Sequence, residues 1–354
     1  MKPAIVGQTD TSESATSVPD NPAEMTRLRL IFCGTPEFAV PTLEALIAAR
    51  HDLALVVSQP DRPIGRKQVI TAPPVKQLAL AHSIPVAQPE KIKNNVEFRA
   101  QLEAIRPDAI VVVAYGRIIP RWMLDLPRLG CINLHGSLLP KYRGAAPIQW
   151  AVANGEAETG NTTMLLEEGL DTGPMLLQQP LPIAPYATAV DLFHELAHAG
   201  APLMTQTLAG LQAGTIQPEA QQHELATLAP ILTREDGHMD FLARTAQDLY
   251  NRWRGFQPWP GAFALLDGKK LIVHRMRVLE AGIETGLETR IDELAAIHNT
   301  LAPGEIIARN GRMLTACAQG TMLELLEVQP EGRTRMQVAE FLRGAQPAAG
   351  SRLI

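Results

Sequence analysis

Residues 109–114 read AIVVVA, a run with no polar face. It is too short for an ordinary helix, and a strand that is apolar at every position must be covered on both sides. The run belongs to a series. Segments 28–32, 53–57 and 131–134 are similar, and 84–87 is a shorter version. Between them, 41–49, 75–81 and 98–105 carry apolar residues at helical spacing. Strands alternating with helices at these intervals predict an α/β unit, a Rossmann-like, mainly parallel sheet with helices on both faces. Ligands of such sheets sit beyond the carboxyl ends of the strands. Further on, 187–211 reads as one amphipathic helix, and 214–230 as a polar linker containing Gln217, Pro218, Gln221 and Gln222. The pattern then changes. Segments 271–278, 305–308, 313–316 and 322–328 are short and strand-like, and Asn310-Gly311 is a hairpin signal. A small OB-like β-barrel is the expected second unit.

The chain has 354 residues, enough for about two domains. No apolar run approaches the roughly 18 residues of a membrane span. A net charge of -5 excludes an indiscriminate cationic nucleic-acid binder but permits a local basic loop. Cys33, Cys131 and Cys317 are odd in number and far apart, which fits a reducing compartment and a cytoplasmic protein without disulfides. Residues 1–25 lack the apolar core of a secretory signal and the arginines of a mitochondrial presequence, and they carry acids. They read as a disordered tail, and Met25 is a candidate true start that an intact mass of the native protein would test. The expected organisation is thus a tail over 1–25, an α/β domain over 26–213, a linker over 214–230 and a barrel over 231–354.

Asn133 and His135 stand two residues apart at the end of a strand, so they project to one side. An amide and an imidazole together suit carbonyl chemistry. The amide can hold an oxygen that becomes negative, and the imidazole can donate to it or move a proton. Asp171 lies in a glycine-flanked loop. Paired with His135 it would fix the ring's orientation and strengthen it as a base. Turn capping and packing are the plain alternative for all three. Three other motifs carry less. Gly34-Thr35-Pro36 follows the first strand, but Pro36 and Ala39 stand where a dinucleotide fingerprint needs glycine, so a tight turn is expected. His194-Glu195-Leu196-Ala197-His198 has the zinc-peptidase spacing without its usual extension, so exposed helical histidines and no metal are expected. Residues 59–74 form a loop rich in proline and basic side chains, either a solvated loop or a phosphate-contacting one.

The segment INLHGSLLPKYRGAAPIQWAVANGEAETG, with GLDTGPML after it, resembles the folate-dependent formyltransferases. FCGTPEFAVPTLEAL, SQPDRPIGR, VVVAYGRIIP and FQPWPGAF resemble the members of that family that act on methionyl-tRNA, and the likeness runs from about Thr26 to the C-terminus. It implies transfer of the formyl group of 10-formyltetrahydrofolate to the α-amine of methionine on initiator tRNA, by a monomer and without a metal. It assigns catalysis to Asn133, His135 and Asp171, part of the folate site to Ser137, Leu138, Leu139 and Pro140, and tRNA contact to Arg62, Arg66 and Lys67. The loop departs from the family pattern, since Lys67-Gln68-Val69 replaces a more basic continuation. The barrel would be the tRNA-binding domain, yet acids slightly outnumber bases from Thr215 onward, and 280–299 looks like an acidic surface insertion. A basic face would have to come from Arg252, Arg254, Lys269, Lys270, Arg275 and Arg277, with Trp253, Phe256 and Trp259 packing beneath. Formyltransferases acting on a ribonucleotide or an amino sugar nucleotide, a formyl-folate hydrolase, and a non-catalytic tRNA-binding protein are the rival readings.

Overall fold

The computed structural model describes residues 27–65, 67–279, 301–345, 347–348 and 350–354. The expectations for the tail, for Arg66 and for the acidic stretch 280–299 lie outside the described residues.

A seven-stranded sheet forms the first unit. Its strands are β1 (Arg29–Gly34), β2 (Asp52–Val57), β5 (Val86–Ala87), β6 (Ala109–Val113), β7 (Cys131–His135), β8 (Glu158–Leu165) and β9 (Met175–Pro182), in the order β5-β2-β1-β6-β7-β8-β9. Pairing is parallel from β5 to β7 and antiparallel from β7 to β9. The apolar runs fill both faces as anticipated. Leu30 and Phe32 of β1 join one core with Leu43, Leu196 and Met204, while Ile31 and Cys33 join another with Phe98, Leu102 and Met123. The first core lies under helices α1 (Val40–Ala48), α2 (Pro74–Ala81), α5 (Pro147–Ala153) and α6 (Ala189–Ala213); the second lies under α3 (Val96–Ile105) and α4 (Arg121–Leu124).

Two features depart from the sequence reading. Strands β8 and β9 carry no apolar run. Asn161, Thr162 and Thr163 of β8 are nevertheless buried, because tertiary partners meet them: Asn161 Nδ2 donates to the Leu196 carbonyl at 2.8 Å, Thr162 Oγ1 donates to the Ser137 carbonyl at 2.7 Å, and Thr163 Oγ1 lies 2.8 Å from Thr207 Oγ1. The loop over 59–74 is also partly regular. It contains a two-stranded ribbon, β3 (Arg62–Ile64) against β4 (Val69–Thr71). An isolated ribbon tolerates Pro63, since no further strand needs its missing N–H. Gly65 and Gln68 take the positive φ values that the turn requires.

The second unit is an antiparallel sheet in the order β10-β11-β14-β13-β12, comprising β10 (Phe263–Leu266), β11 (Lys269–Leu279), β12 (Ile306–Arg309), β13 (Arg312–Ala316) and β14 (Met322–Pro330), with β15 (Met336–Gln337) on β14. Residues 351–354 bring its two edges together. Leu353 bridges to Leu266 of β10, and Arg352 to Glu305 beside β12. The path therefore curls into a small barrel around Leu271, Met276, Met313 and Leu325. Helix α8 (Val338–Gly344) packs on β13 and β14, and α7 (Ala246–Gly255) on β11.

Glu324 is 3% exposed in this barrel. Arg277 Nη2 and Arg312 Nε both reach it at 2.6 Å. Burial raises the carboxyl's proton affinity, but the bonds from Arg312 and Arg277 outweigh that and hold it below its ordinary value. A depressed folded-state value means that the stabilisation is complete above the unfolded value and lost as pH falls through the folded one. Glu324→Ala should therefore cost about 2 kcal/mol at pH 7, a figure reduced for the half-exposed Arg277. Urea midpoints should show the gap from wild type closing as pH falls below the ordinary carboxylate range; a gap independent of pH would contradict the ion-pair account.

Candidate active site

Strands β6 and β7 end side by side, and their extensions build the cleft. Asn133 pairs with Val112 on one side and Met164 on the other. Its amide makes no side-chain hydrogen bond to a described residue and lines the cleft, so its N–H groups are free for a ligand. His135 is 6% exposed. Its Nε2 lies 2.9 Å from the Tyr142 carbonyl. A carbonyl only accepts, so Nε2 carries a hydrogen and Nδ1 is the nitrogen left for chemistry. Nδ1 stands 3.8 Å from Asp171 Oδ2, and the Gly144 N–H donates to that same oxygen at 2.9 Å. An amide donor, an imidazole and a carboxylate thus line one cleft. Tyr142, which positions the imidazole, has its phenol pushed up to about 12 by burial and by Glu156. It stays neutral, donating to Glu156 Oε1 at 2.8 Å.

The cleft has a volume of about 730 Å³. Val112, Ile118, Ile119, Leu166 and Phe193 supply apolar wall, and Ala114 to Arg117 form one rim. Phe38 and Phe193 meet at 5.1 Å between ring centroids. A second cavity of about 800 Å³ continues from this rim. It shares Ala114, Tyr115, Gly116 and Arg117 and runs to Arg62 and Thr71 of the β3–β4 ribbon. The catalytic-type side chains and the ribbon therefore lie along one groove. The ribbon is tied down at its base: Lys76 Nζ sits 2.8 Å from Asp61 Oδ2, and Gln88 Nε2 donates to Asp61 Oδ1 at 2.7 Å. These bonds hold the Asp61 carboxyl below its usual range.

Ser137, Leu138, Leu139 and Pro140 follow the cleft-lining Gly136 directly and form a turn against β8. Ser137 Oγ donates to the Lys141 carbonyl at 2.7 Å, and the Leu139 N–H donates to Thr162 Oγ1 at 3.1 Å. Leu138 packs over Gly160. Arg62 and Lys67 are exposed on the ribbon. His194 and His198 are both exposed on α6, and among the described residues no group of three or more His, Cys, Asp or Glu is arranged to hold a metal. The basic face expected on the barrel is smaller than its sequence suggested. Arg254 is 4% exposed and donates to the Ala187 carbonyl at 2.7 Å, while Arg252 lies over the Phe256 ring at 4.7 Å. Both belong to the seam between the two units. With Arg277 paired to Glu324, the exposed cations left on that face are Lys269, Lys270 and Arg275. Sequence reading missed the rim over 114–119 as a wall of the site. Its signal was its position, directly beyond the most apolar strand.

A two-sided sheet gathers Asn133, His135 and Asp171 beyond its carboxyl edge, an arrangement suited to acyl transfer. The sequence profile of the formyl transferase family matches residues 27–208, and that of the formyl transferase C-terminal domain matches 231–346. The chain is 62% identical to the methionyl-tRNA formyltransferase of Acidobacterium capsulatum over 92% of its own length and 99% of that protein's. It is 54% identical to that of Koribacter versatilis, over 92% and 98%. In fold it is similar to an N-formyltransferase from Helicobacter canadensis solved with folinic acid and dTDP-3-aminofucose, with a TM-score of 0.60 at 17% identity over 86% of this chain and 99% of that one. HypX from Aquifex aeolicus, solved with tetrahydrofolic acid, aligns with a TM-score of 0.56 at 15% identity, over 90% of this chain and 47% of that one. The chain belongs to the methionyl-tRNA formyltransferase family. No helix among the described residues is long and apolar enough to cross a membrane.

Proposed function

We propose that the cleft transfers the formyl group of 10-formyltetrahydrofolate to the α-amine of methionine on initiator tRNA, with Asn133, His135 and Asp171 as its catalytic residues. The observation that carries this reading is their convergence: a free amide, an imidazole with Nδ1 unclaimed, and a carboxylate oxygen 3.8 Å from that nitrogen. The reduced folate supplies the formyl group, which passes from its nitrogen to the methionyl amine. The apolar wall of Val112, Ile118, Ile119 and Leu166 suits a flat ring system of that kind. Asn133 donates to the formyl oxygen as negative charge develops there. His135, held through Nε2 by Tyr142, presents Nδ1–H to the same oxygen when its ring is protonated, and Asp171 balances that charge. Asp171, directly or through water, takes the proton that the attacking amine loses and returns one to the departing folate nitrogen.

The ribbon supports a tRNA acceptor, because it lies at the far end of the same groove. Arg62 and Lys67, with Arg66 between them, are proposed to hold phosphates of the acceptor end. Replacing Arg62 and Lys67 by Ala should weaken tRNA binding and flatten the dependence of log K on log salt by roughly 0.7 for each single-strand phosphate no longer neutralised. An unchanged slope would remove the ribbon from the interface. The reaction itself is tested by formyl transfer to methionyl-initiator tRNA, with methionyl-elongator tRNA and free methionine as controls. Product confined to the initiator supports the whole reading. Folate turnover without formyl-tRNA would move the acceptor to a small molecule or water.

A further inference from the structure

Asp171 occupies a backbone conformation that an L-residue rarely adopts, with φ +49°. The turn around it is tight on both sides. A Cβ on Gly169 would lie 2.1 Å from Thr172 Oγ1, and one on Gly173 1.9 Å from the Leu165 carbonyl oxygen. A carboxylate placed on such a turn needs its backbone held by an outside group. Gln221 supplies that hold. Its Nε2 donates to the carbonyls of Asp171 and Gly173 at 2.8 and 2.7 Å, so a single amide pins the centre and the far end of the turn. Gln221 is 5% exposed.

The other end of that amide is held just as firmly. Gln221 Oε1 accepts from Arg143 Nε and Nη2 at 2.9 and 2.6 Å. Arg143 is 7% exposed and forms no ion pair among the described residues; its remaining side-chain bond goes to His223 Nδ1 at 3.1 Å. A guanidinium bound to the amide oxygen polarises the amide and strengthens its N–H groups as donors. Arg143 also precedes Gly144, whose N–H donates to Asp171 Oδ2. Backbone bonds from Arg143 to Thr227 and from Ala229 back to Arg143, at 2.9 and 2.7 Å, fix this neighbourhood to the segment joining the two units. The segment that reads as a plain polar linker thus reaches the backbone of the catalytic carboxylate.

We propose that Gln221 is the positioning residue of Asp171, holding its turn so that the carboxylate meets Gly144 and His135 together. This rests on the reading of Asp171 as a group of the reaction. The test uses the full chain with Gln221→Glu, Gln221→Met and, as control, Asp171→Ala. Gln221→Glu keeps an acceptor for Arg143 but removes both N–H donors and sets a carboxylate against two carbonyls. It should melt like the wild type, while kcat for formyl transfer falls at least about tenfold at unchanged KM for folate and tRNA, with a displaced pH–kcat profile. Gln221→Met should lose kcat in the same direction. Asp171→Ala should lose roughly a thousandfold in rate. The proposal is overturned if Gln221→Glu retains kcat within about twofold of wild type, or if its loss tracks the folded fraction and leaves the pH profile in place. An active Asp171→Ala would instead sink the reading of the site beneath it.

Discussion

Asp171→Asn and Asp171→Ala should each lower the single-turnover rate of formyl transfer by roughly a thousandfold, within the range of positioned acid–base groups. The two substitutions separate charge from geometry. An Asn at 171 keeps an oxygen that can accept from the Gly144 N–H, a bond of 2.9 Å in the native site, so the turn and the His135 ring should stay in place. What it loses is the negative charge 3.8 Å from His135 Nδ1 and the capacity to take a proton from the amine. If charge and proton transfer are the function, Asn is nearly as damaging as Ala while folate binding and melting temperature hold. An Asn variant retaining a tenth of the activity would mean that Asp171 acts by holding the loop alone. Asn133→Ala should cost less, about a hundredfold, as one donor to a developing oxyanion.

Charge and polarity divide what the sequence disclosed from what it hid. Strands β1, β2, β6 and β7 were legible because burial on both faces demands continuous apolar runs. Their carboxyl ends placed Asn133 and His135, and a glycine-flanked acid made Asp171 a natural third member. Strand β8 was not legible, since threonine and asparagine stand where burial ordinarily selects valine. Asn161, Thr162 and Thr163 are buried with Leu196, Ser137 and Thr207 as partners, and partners distant in the chain leave no local period. The same blindness affects Gln221, which reads as part of a polar linker and is committed to tertiary hydrogen bonds that only the folded chain brings within reach. Arginines mislead in the opposite direction. Arg252 and Arg254 look like phosphate ligands, but at this end of α7 they face the first unit, where stacking and carbonyl bonds absorb them.

That seam carries the second large expected effect. Helix α7 crosses α5 at Gly255, where an added Cβ would lie 2.6 Å from both the Ala153 nitrogen and the Gln149 carbonyl oxygen. Those are backbone atoms of α5, so a side chain at 255 can be accommodated only by separating the helices. Around this crossing, Trp150 meets Phe256 edge-on at 5.3 Å, Trp150 Nε1 donates to the Pro230 carbonyl at 2.8 Å, and Arg254 reaches the Ala187 carbonyl. Gln149 of α5 also lines the cleft of Asn133 and His135. The approach of the two backbones thus sets how the barrel is carried relative to that cleft. Gly255→Val should destabilise the chain by about 2 kcal/mol through overpacking. It should lower kcat/KM for methionyl-tRNA by about a hundredfold, the effect of misplacing bound partners by roughly 1 Å. Folate binding, proposed here for the first unit, should be nearly unchanged in equilibrium titration. Gly255→Ala should lie between the two. If tRNA formylation by the Val variant matches wild type at equal folded fraction, the barrel's placement has no part in presenting the acceptor end.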